Sequence, residues 1–166
     1  FNDVAYAAVK LAKKGRKVFI LDCDSHQDKG VIDITGNAEN IFNMTVFCRD
    51  TYPVEKFSSD CNVEVPSGIR GERYNRLISE NLKDSLDGFK PDIIIYIAGA
   101  CAYKDDLFCT MELEVNDFKI RDNIIREKIS LLNIPAAVLI GGGRAGKLME
   151  TVNIHENTVE EFQKLL

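Results

Sequence analysis

The fold class predicted by this sequence is α/β: one domain with a parallel sheet and helices on both of its faces. Segments of strand character alternate along the chain with segments whose apolar residues recur at helical spacing. The run DIIIYIA at 92–98 is almost continuously apolar, as in a strand covered on both sides. Strand and helix repeated in this way imply parallel strands joined by helical crossovers. With 166 residues and 45% hydrophobic content, the chain supports one core and is too short to argue for two, so 1–166 is read as a single domain.

The elements follow in order. DVAYAAVKLAKK at 3–14 has helical periodicity and stops at Gly15, a natural C-terminal glycine, before a strand at 17–22. IFNMTVF at 41–47 predicts a second strand. The polar span from Arg49 to Gly71, with Pro53, Pro66 and Gly68, reads as a long surface excursion. The helical period returns over 72–86, and Gly88 and Pro91 separate it from the strand at 92–98. A helix at 117–132, a strand at 136–140 (AAVLI), glycines at 141–143 and a closing helix from about 156 to 166 complete the alternation.

Charge and cysteine content exclude several function classes. A net charge of −5 with pI near 5.1 leaves no electrostatic footprint for nucleic acid or an anionic membrane. Five cysteines without a C-x-x-C pair do not form a disulfide framework, so an intracellular, reducing compartment, most simply the cytoplasm, is expected. No window is long and apolar enough to span a bilayer, and the lysines within 1–20 do not suit a signal peptide.

The chemistry gathers at strand ends. VFILDCDSH at 18–26 ends a β-branched run with Asp22, Asp24 and His26 at alternate positions, which an extended backbone would present on one side. Two carboxylates and an imidazole are a metal site in outline. The strands at 92–98 and 136–140 end in Ala98-Gly-Ala-Cys101 and Gly141-Gly-Gly-Arg144, and ligands of open parallel sheets collect beyond such ends. An Asp-rich strand end also serves as a helix cap, and a lone histidine is commonly structural. GGGRAGK at 141–147 fits the phosphate-cradling spacing, but Leu148 replaces the expected Ser or Thr and only 18 residues follow, so it reads as glycine-rich packing.

The motifs FNDV at 1–4, DCDSHQ at 22–27, PDIIIYIAGA at 91–100, the DD at 105–106 and IPAAVLIGGG at 134–143 resemble, in order, the second half of a zinc-dependent histone deacetylase and acetylpolyamine amidohydrolase domain. The resemblance implies an arginase/deacetylase-like three-layer αβα fold whose N-terminal part is missing here. It implies zinc held by Asp24 and His26, and a structural potassium ion near Asp22, Asp24 and Thr45. Where the family has its third zinc-binding Asp, this chain has Cys101. Thiolate also ligates zinc, so Asp24, His26 and Cys101 form the expected metal set, softer and less Lewis-acidic than with a carboxylate. Where the family has an oxyanion-binding Tyr after the glycines, this chain has Arg144, which becomes the candidate catalytic residue. Asp28 replaces a usual glycine and Phe47 a frequent histidine. The family's tandem-histidine base would lie upstream of Phe1. His155, in a polar stretch entering the last helix, is read as a solvated side chain.

The implied activity is hydrolysis of an N-acetyl amide, in an acetyl-lysine peptide or another acetylated amine, with the base supplied from outside this chain. The alternative is a catalytically silent relative acting as a binding or structural subunit. A missing N-terminal half would leave a sheet edge and core surface uncovered, so self-association or a partner chain is expected.

Overall fold

The computed structural model describes residues 2–166; Phe1, the first residue of the FNDV motif, lies outside them. Ten elements alternate in chain order: α1 (Asp3–Ala12), β1 (Val18–Asp22), α2 (Lys29–Thr35), β2 (Ile41–Cys48), β3 (Cys61–Val65), α3 (Gly71–Phe89), β4 (Ile93–Gly99), α4 (Val115–Leu132), β5 (Ala136–Gly141) and α5 (Leu148–Gln163). The five strands form one parallel sheet in the order β3-β2-β1-β4-β5. The chain therefore winds outward from β1 to β3, returns to the other side of β1 as β4, and winds outward again to β5. The reversal falls between β1 and β4, where diverging connections open a crevice beyond the carboxyl ends of those strands.

Side-chain alternation along β1 divides the core. Phe19, Leu21 and Cys23 face a large apolar layer with Tyr74, Ile78, Leu82 and Leu86 of α3, Phe118, Ile125 and Ile129 of α4, and Ile154 and Phe162 of α5. Val18 and Ile20 face a smaller one with Val4 and Ala8 of α1 and Val31 of α2. The result is the expected three-layer arrangement. All five residues of β1 are buried, as its apolar run requires of a central strand.

Two expectations need correction, and one further helix joins the elements the sequence predicts. The excursion at 49–71 contains a strand: β3 pairs with β2 from Met44↔Cys61 to Cys48↔Val65. Its alternating exposure (Glu64 outward, Val63 and Val65 inward) is a short period-2 signal masked by flanking polar residues. The segment after the DCDSH motif contains α2, capped by the Asp28 side chain, which accepts from the Val31 amide at 3.1 Å. The closing helix begins at 148, not about 156, and carries Ile154, Thr158 and Phe162 inward.

Beneath the switch point lies a buried polar cluster. Arg121 and Asp122 on α4 are both 0% exposed. The Asp122 carboxylate accepts from Arg121 Nε at 2.8 Å, from the Tyr96 hydroxyl of β4 at 2.6 Å and from Thr158 of α5 at 2.5 Å. Arg121 Nη1 donates to the Gly99 carbonyl at 2.6 Å, tying the end of β4 to α4. Tyr96 is thus packed within its strand and hydrogen-bonded at its polar end.

Candidate metal centre and its cleft

β1 ends at Asp22, and the residues after it turn instead of continuing as extended chain. The turn is shaped by its own side chains: Asp22 Oδ1 accepts from the Asp24 amide and Asp24 Oδ1 from the His26 amide, each at 2.9 Å. From outside, the Ser25 carbonyl accepts from the Cys48 amide at 3.0 Å and the Thr51 hydroxyl at 2.7 Å. Gln27 clamps the excursion to the turn, giving to the Phe57 carbonyl at 2.7 Å and accepting from the Phe57 amide at 2.6 Å. These bonds position Asp24 and His26 at the crevice.

Across the crevice, Cys101 follows β4. One donor atom each from Asp24, His26 and Cys101 lies within 4.8 Å of the others. His26 Nδ1 is 2.9 Å from Asp24 Oδ1, and the Cys101 thiol donates to Asp24 Oδ2 at 3.3 Å. Gly142, at φ +21°, forms the back of this cradle: a Cβ there would come within 2.3 Å of Cys101 Sγ and 2.4 Å of Asp24 Oδ2. Gly99 serves the same approach, since a Cβ on it would meet the Asp24 Cα at 2.7 Å.

The three donors fit a zinc ion. Carboxylate, imidazole and thiol are zinc ligands, and three protein ligands with an open fourth position is the arrangement of zinc sites that act on substrates. A tetrahedral zinc with ordinary bond lengths separates its ligands by about 3.3–3.8 Å, within the 4.8 Å over which the three donors gather. Protonation states follow the same contacts. Burial raises Asp24, but hydrogen bonds from His26 and Cys101 outweigh it and hold the carboxyl below its ordinary value. The Asp24 hydrogen bond raises His26 against burial. Burial, then the charge of Asp24, pushes the Cys101 thiol up, so its proton is retained until a cation displaces it.

The structure places the other residues singled out in the sequence at several distances from this group. Asp22 is buried behind the turn, and burial, then Asp24, raises it well above the carboxylate range. Thr45 is its register partner on β2, with its hydroxyl donated to Asn62 at 3.0 Å. Phe47 is packed in the core and Tyr103 is buried too, away from the cleft wall. Arg144 lines a cleft of about 440 Å³ together with the three donors.

Two residues hold more of the site than their sequence context suggests. Asp106, of the DD at 105–106, accepts from the Phe108 amide at 2.9 Å and the Arg144 amide at 2.6 Å, joining the loop after β4 to the loop after β5. His155, expected to be solvated, sits inside α5 with Nε2 3.1 Å from the Gly142 carbonyl, so the helix braces the glycine loop. The missed signal was its helical spacing with Thr151, Ile154 and Thr158, all of which face inward.

The fold and site define a class: a doubly wound α/β domain whose candidate metal-ligand side chains follow the two strands flanking the topological switch point. The model of the histone deacetylase domain matches residues 1–157, and the chain belongs to that family. It is 26% identical over 156 residues to an uncharacterized protein of Picosynechococcus sp., covering 93% of this chain and 52% of that protein. It is 27% identical to histone deacetylase 2 of Arabidopsis thaliana, covering 76% of this chain and 34% of that one. Among solved structures, an acetylpolyamine aminohydrolase from Burkholderia pseudomallei superposes with a TM-score of 0.84 at 20% identity, and a histone deacetylase homolog from Aquifex aeolicus with 0.81 at 19%. Each covers 99% of this chain and 50% of the other. The chain thus spans about half the length of these structures and of the Picosynechococcus protein, and about a third of the plant enzyme. The family is generally zinc-dependent, and the Asp24–His26–Cys101 group is the corresponding candidate site.

Proposed function

We propose that this chain carries the metal-binding half of a deacetylase-family catalytic site, in which Asp24, His26 and Cys101 hold zinc and the assembled domain hydrolyses the amide of an acetyl-lysine peptide or another acetylated amine. The observation that carries this reading is the convergence of three ligand types on one cradle at the switch point, in a generally zinc-dependent family. Zinc in such a site supplies Lewis acidity and a bound water of lowered pKa.

The residues of this chain do the rest. Asp24 and Cys101 contribute negative charge and His26 a ring nitrogen, while Gly142 and Gly99 let two strand ends approach closely enough for these groups to meet. Arg144, on the cleft wall, is the candidate to stabilise charge developing on the amide oxygen. A base must come from elsewhere in the assembled domain or from another chain, because His26 belongs to the ligand set and His155 is engaged by Gly142. Asp22 with Thr45 is the proposed locus of a structural potassium ion, which would offset the buried carboxylate charge.

Half-uncovered apolar surface supports association with a second chain or with the rest of the domain. β5 is an edge strand with Ile140 61% exposed, and a groove beside α1 is lined by Ala5, Tyr6, Val9 and Ile34. No helix among the described residues is long and apolar enough to cross a membrane, and none of the five cysteines is in a disulfide, which suits an intracellular reducing compartment.

The replacements at Cys101 and Arg144 line the same cleft, and this favours a second reading in which the domain binds without turning over. Elemental analysis of purified protein beside Cys101→Ser is the test. About one zinc per chain, lost in the variant, supports the centre; metal-free protein that takes up no added zinc refutes it and leaves the binding subunit.

A further inference from the structure

We propose that Arg144 is a carboxylate-recognition residue, so that the amide entering this cleft carries a carboxylate group, either at the far end of its acyl chain or beside the amide nitrogen. The inference deepens the proposed function, rests on the cleft being its substrate site, and gives the Arg144 guanidinium this role in place of oxyanion stabilisation. Three observations carry it.

The first is how Arg144 is held. The guanidinium carbon stands 5.0 Å from the ring centroid of Phe108, and both residues line the cleft that contains the candidate metal ligands. The buried Asp106 carboxylate grips both backbones, one oxygen on the Phe108 amide and the other on the Arg144 amide. A further bond from the Leu107 amide to the Arg144 carbonyl at 3.1 Å completes the link between the two loops. The cation–π contact with a ring whose backbone is fixed favours this placement of the guanidinium and leaves its N–H groups free to donate.

The second is what Arg144 does not touch. The Arg144 guanidinium makes no ion pair among the described residues, as is also true of Arg16, Arg73 and Arg76, but of these four it alone lines the cleft with the candidate ligands. The two carboxylates of the cleft are committed elsewhere: Asp24 to His26 and Cys101, Asp106 to backbone amides. Neither carboxylate hydrogen-bonds the Arg144 guanidinium, whose N–H groups therefore stay unengaged on the cleft wall.

The third is the match of chemistry. A guanidinium presents parallel N–H donors that suit a planar carboxylate in a bidentate pair, a geometry a neutral acetyl group cannot use. Zinc held by Asp24 and Cys101 would be charge-balanced by two anionic ligands, which leaves Arg144 as the cationic side chain of the cleft lining among the described residues.

Equilibrium titration of the full chain tests this with three probes: N-butylsuccinamic acid (carboxylate on the acyl side), N-acetylglycine (carboxylate on the nitrogen side) and neutral N-butylacetamide. Wild type, Arg144→Gln and Arg144→Lys are each titrated zinc-loaded and after chelation, with zinc content measured on the same samples. At least one carboxylated probe should bind wild type about tenfold or more tightly than the neutral amide, with the preference lost in Arg144→Gln and partly kept in Arg144→Lys. Whichever carboxylated probe is preferred assigns the side. Equal binding of all three probes, no binding of any, or a preference that survives Arg144→Gln overturns the proposal. A carboxylate preference in protein that takes up no zinc refutes the metal centre alone, and zinc uptake without the preference refutes the role of Arg144 alone.

Discussion

Replacing Asp122 by Leu should remove a large share of the stability of this domain. The carboxylate is fully buried and accepts from Arg121, Tyr96 and Thr158, which lie on α4, β4 and α5. Without it, the Arg121 guanidinium keeps one bond, to the Gly99 carbonyl, but loses its counter-charge where water cannot replace it. Removing one partner of a buried ion pair costs about 3–5 kcal/mol. The Tyr96 hydroxyl loses its acceptor as well, adding about 1–3 kcal/mol, while Thr158 can still donate to the Ile154 carbonyl at 3.2 Å. The sum, about 4–8 kcal/mol, is comparable with the whole stability of an ordinary domain. Urea unfolding followed by circular dichroism reads the loss as a lowered midpoint. Because the penalty comes mainly from the stranded charge, Arg121→Met combined with Asp122→Leu should cost several kcal/mol less than the sum of the two single variants. A cost below about 1 kcal/mol for Asp122→Leu, or strict additivity in the cycle, would refute this account of the cluster.

Gly142→Ala should leave the fold intact yet weaken zinc binding by about tenfold or more in a chelator competition, because its methyl would occupy space between Cys101 Sγ and Asp24 Oδ2. Cys101→Asp should retain zinc and lose the near-ultraviolet thiolate charge-transfer band of the cobalt-substituted protein, while Cys101→Ser loses the metal. Against burial, hydrogen bonds from Lys164, Arg126 and Asn123 hold Glu161 down to about 2. Its folded pKa lies below the unfolded value, so its contribution, about 1–2 kcal/mol, is complete above pH about 4.5 and is lost as pH falls toward 2. Glu161→Gln should be less stable than wild type at pH 6, with the two converging near pH 2 in urea melts; a constant gap would contradict the assignment.

The alternation that made β1 and β4 legible is the same alternation that buries them. Phe19 and Leu21 go to one layer and Val18 and Ile20 to the other, so an apolar run could mean only a central strand. The ends of β1, β4 and β5 were legible for a related reason: glycines and ligand-type residues stand where apolar runs stop. Adjacency across the crevice was not legible. Asp24 and Cys101 are 77 residues apart, and nothing local says that β4 lies beside β1. β3 was hidden because an edge strand needs only one apolar face, and Val63 and Val65 supply it amid polar neighbours. His155 was misread because its partner is a backbone carbonyl, which leaves no trace in residue identity. Arg121 and Asp122 look like an ordinary charged pair on a helix surface, and only the packing of α5 over α4 turns them inward.

The placement of the three donors also gives the candidate centre a mechanical role. Two follow β1 and the third follows β4, so an ion seated among them would be a cross-link closing a long loop across the middle of the sheet. An ion that binds only the folded chain adds about 2.7 kcal/mol when its free concentration is a hundred times its dissociation constant. The heat resistance of this domain would then be set by the trace metal in its buffer, and a chelator added during purification would loosen the seam between the two winding halves of the molecule.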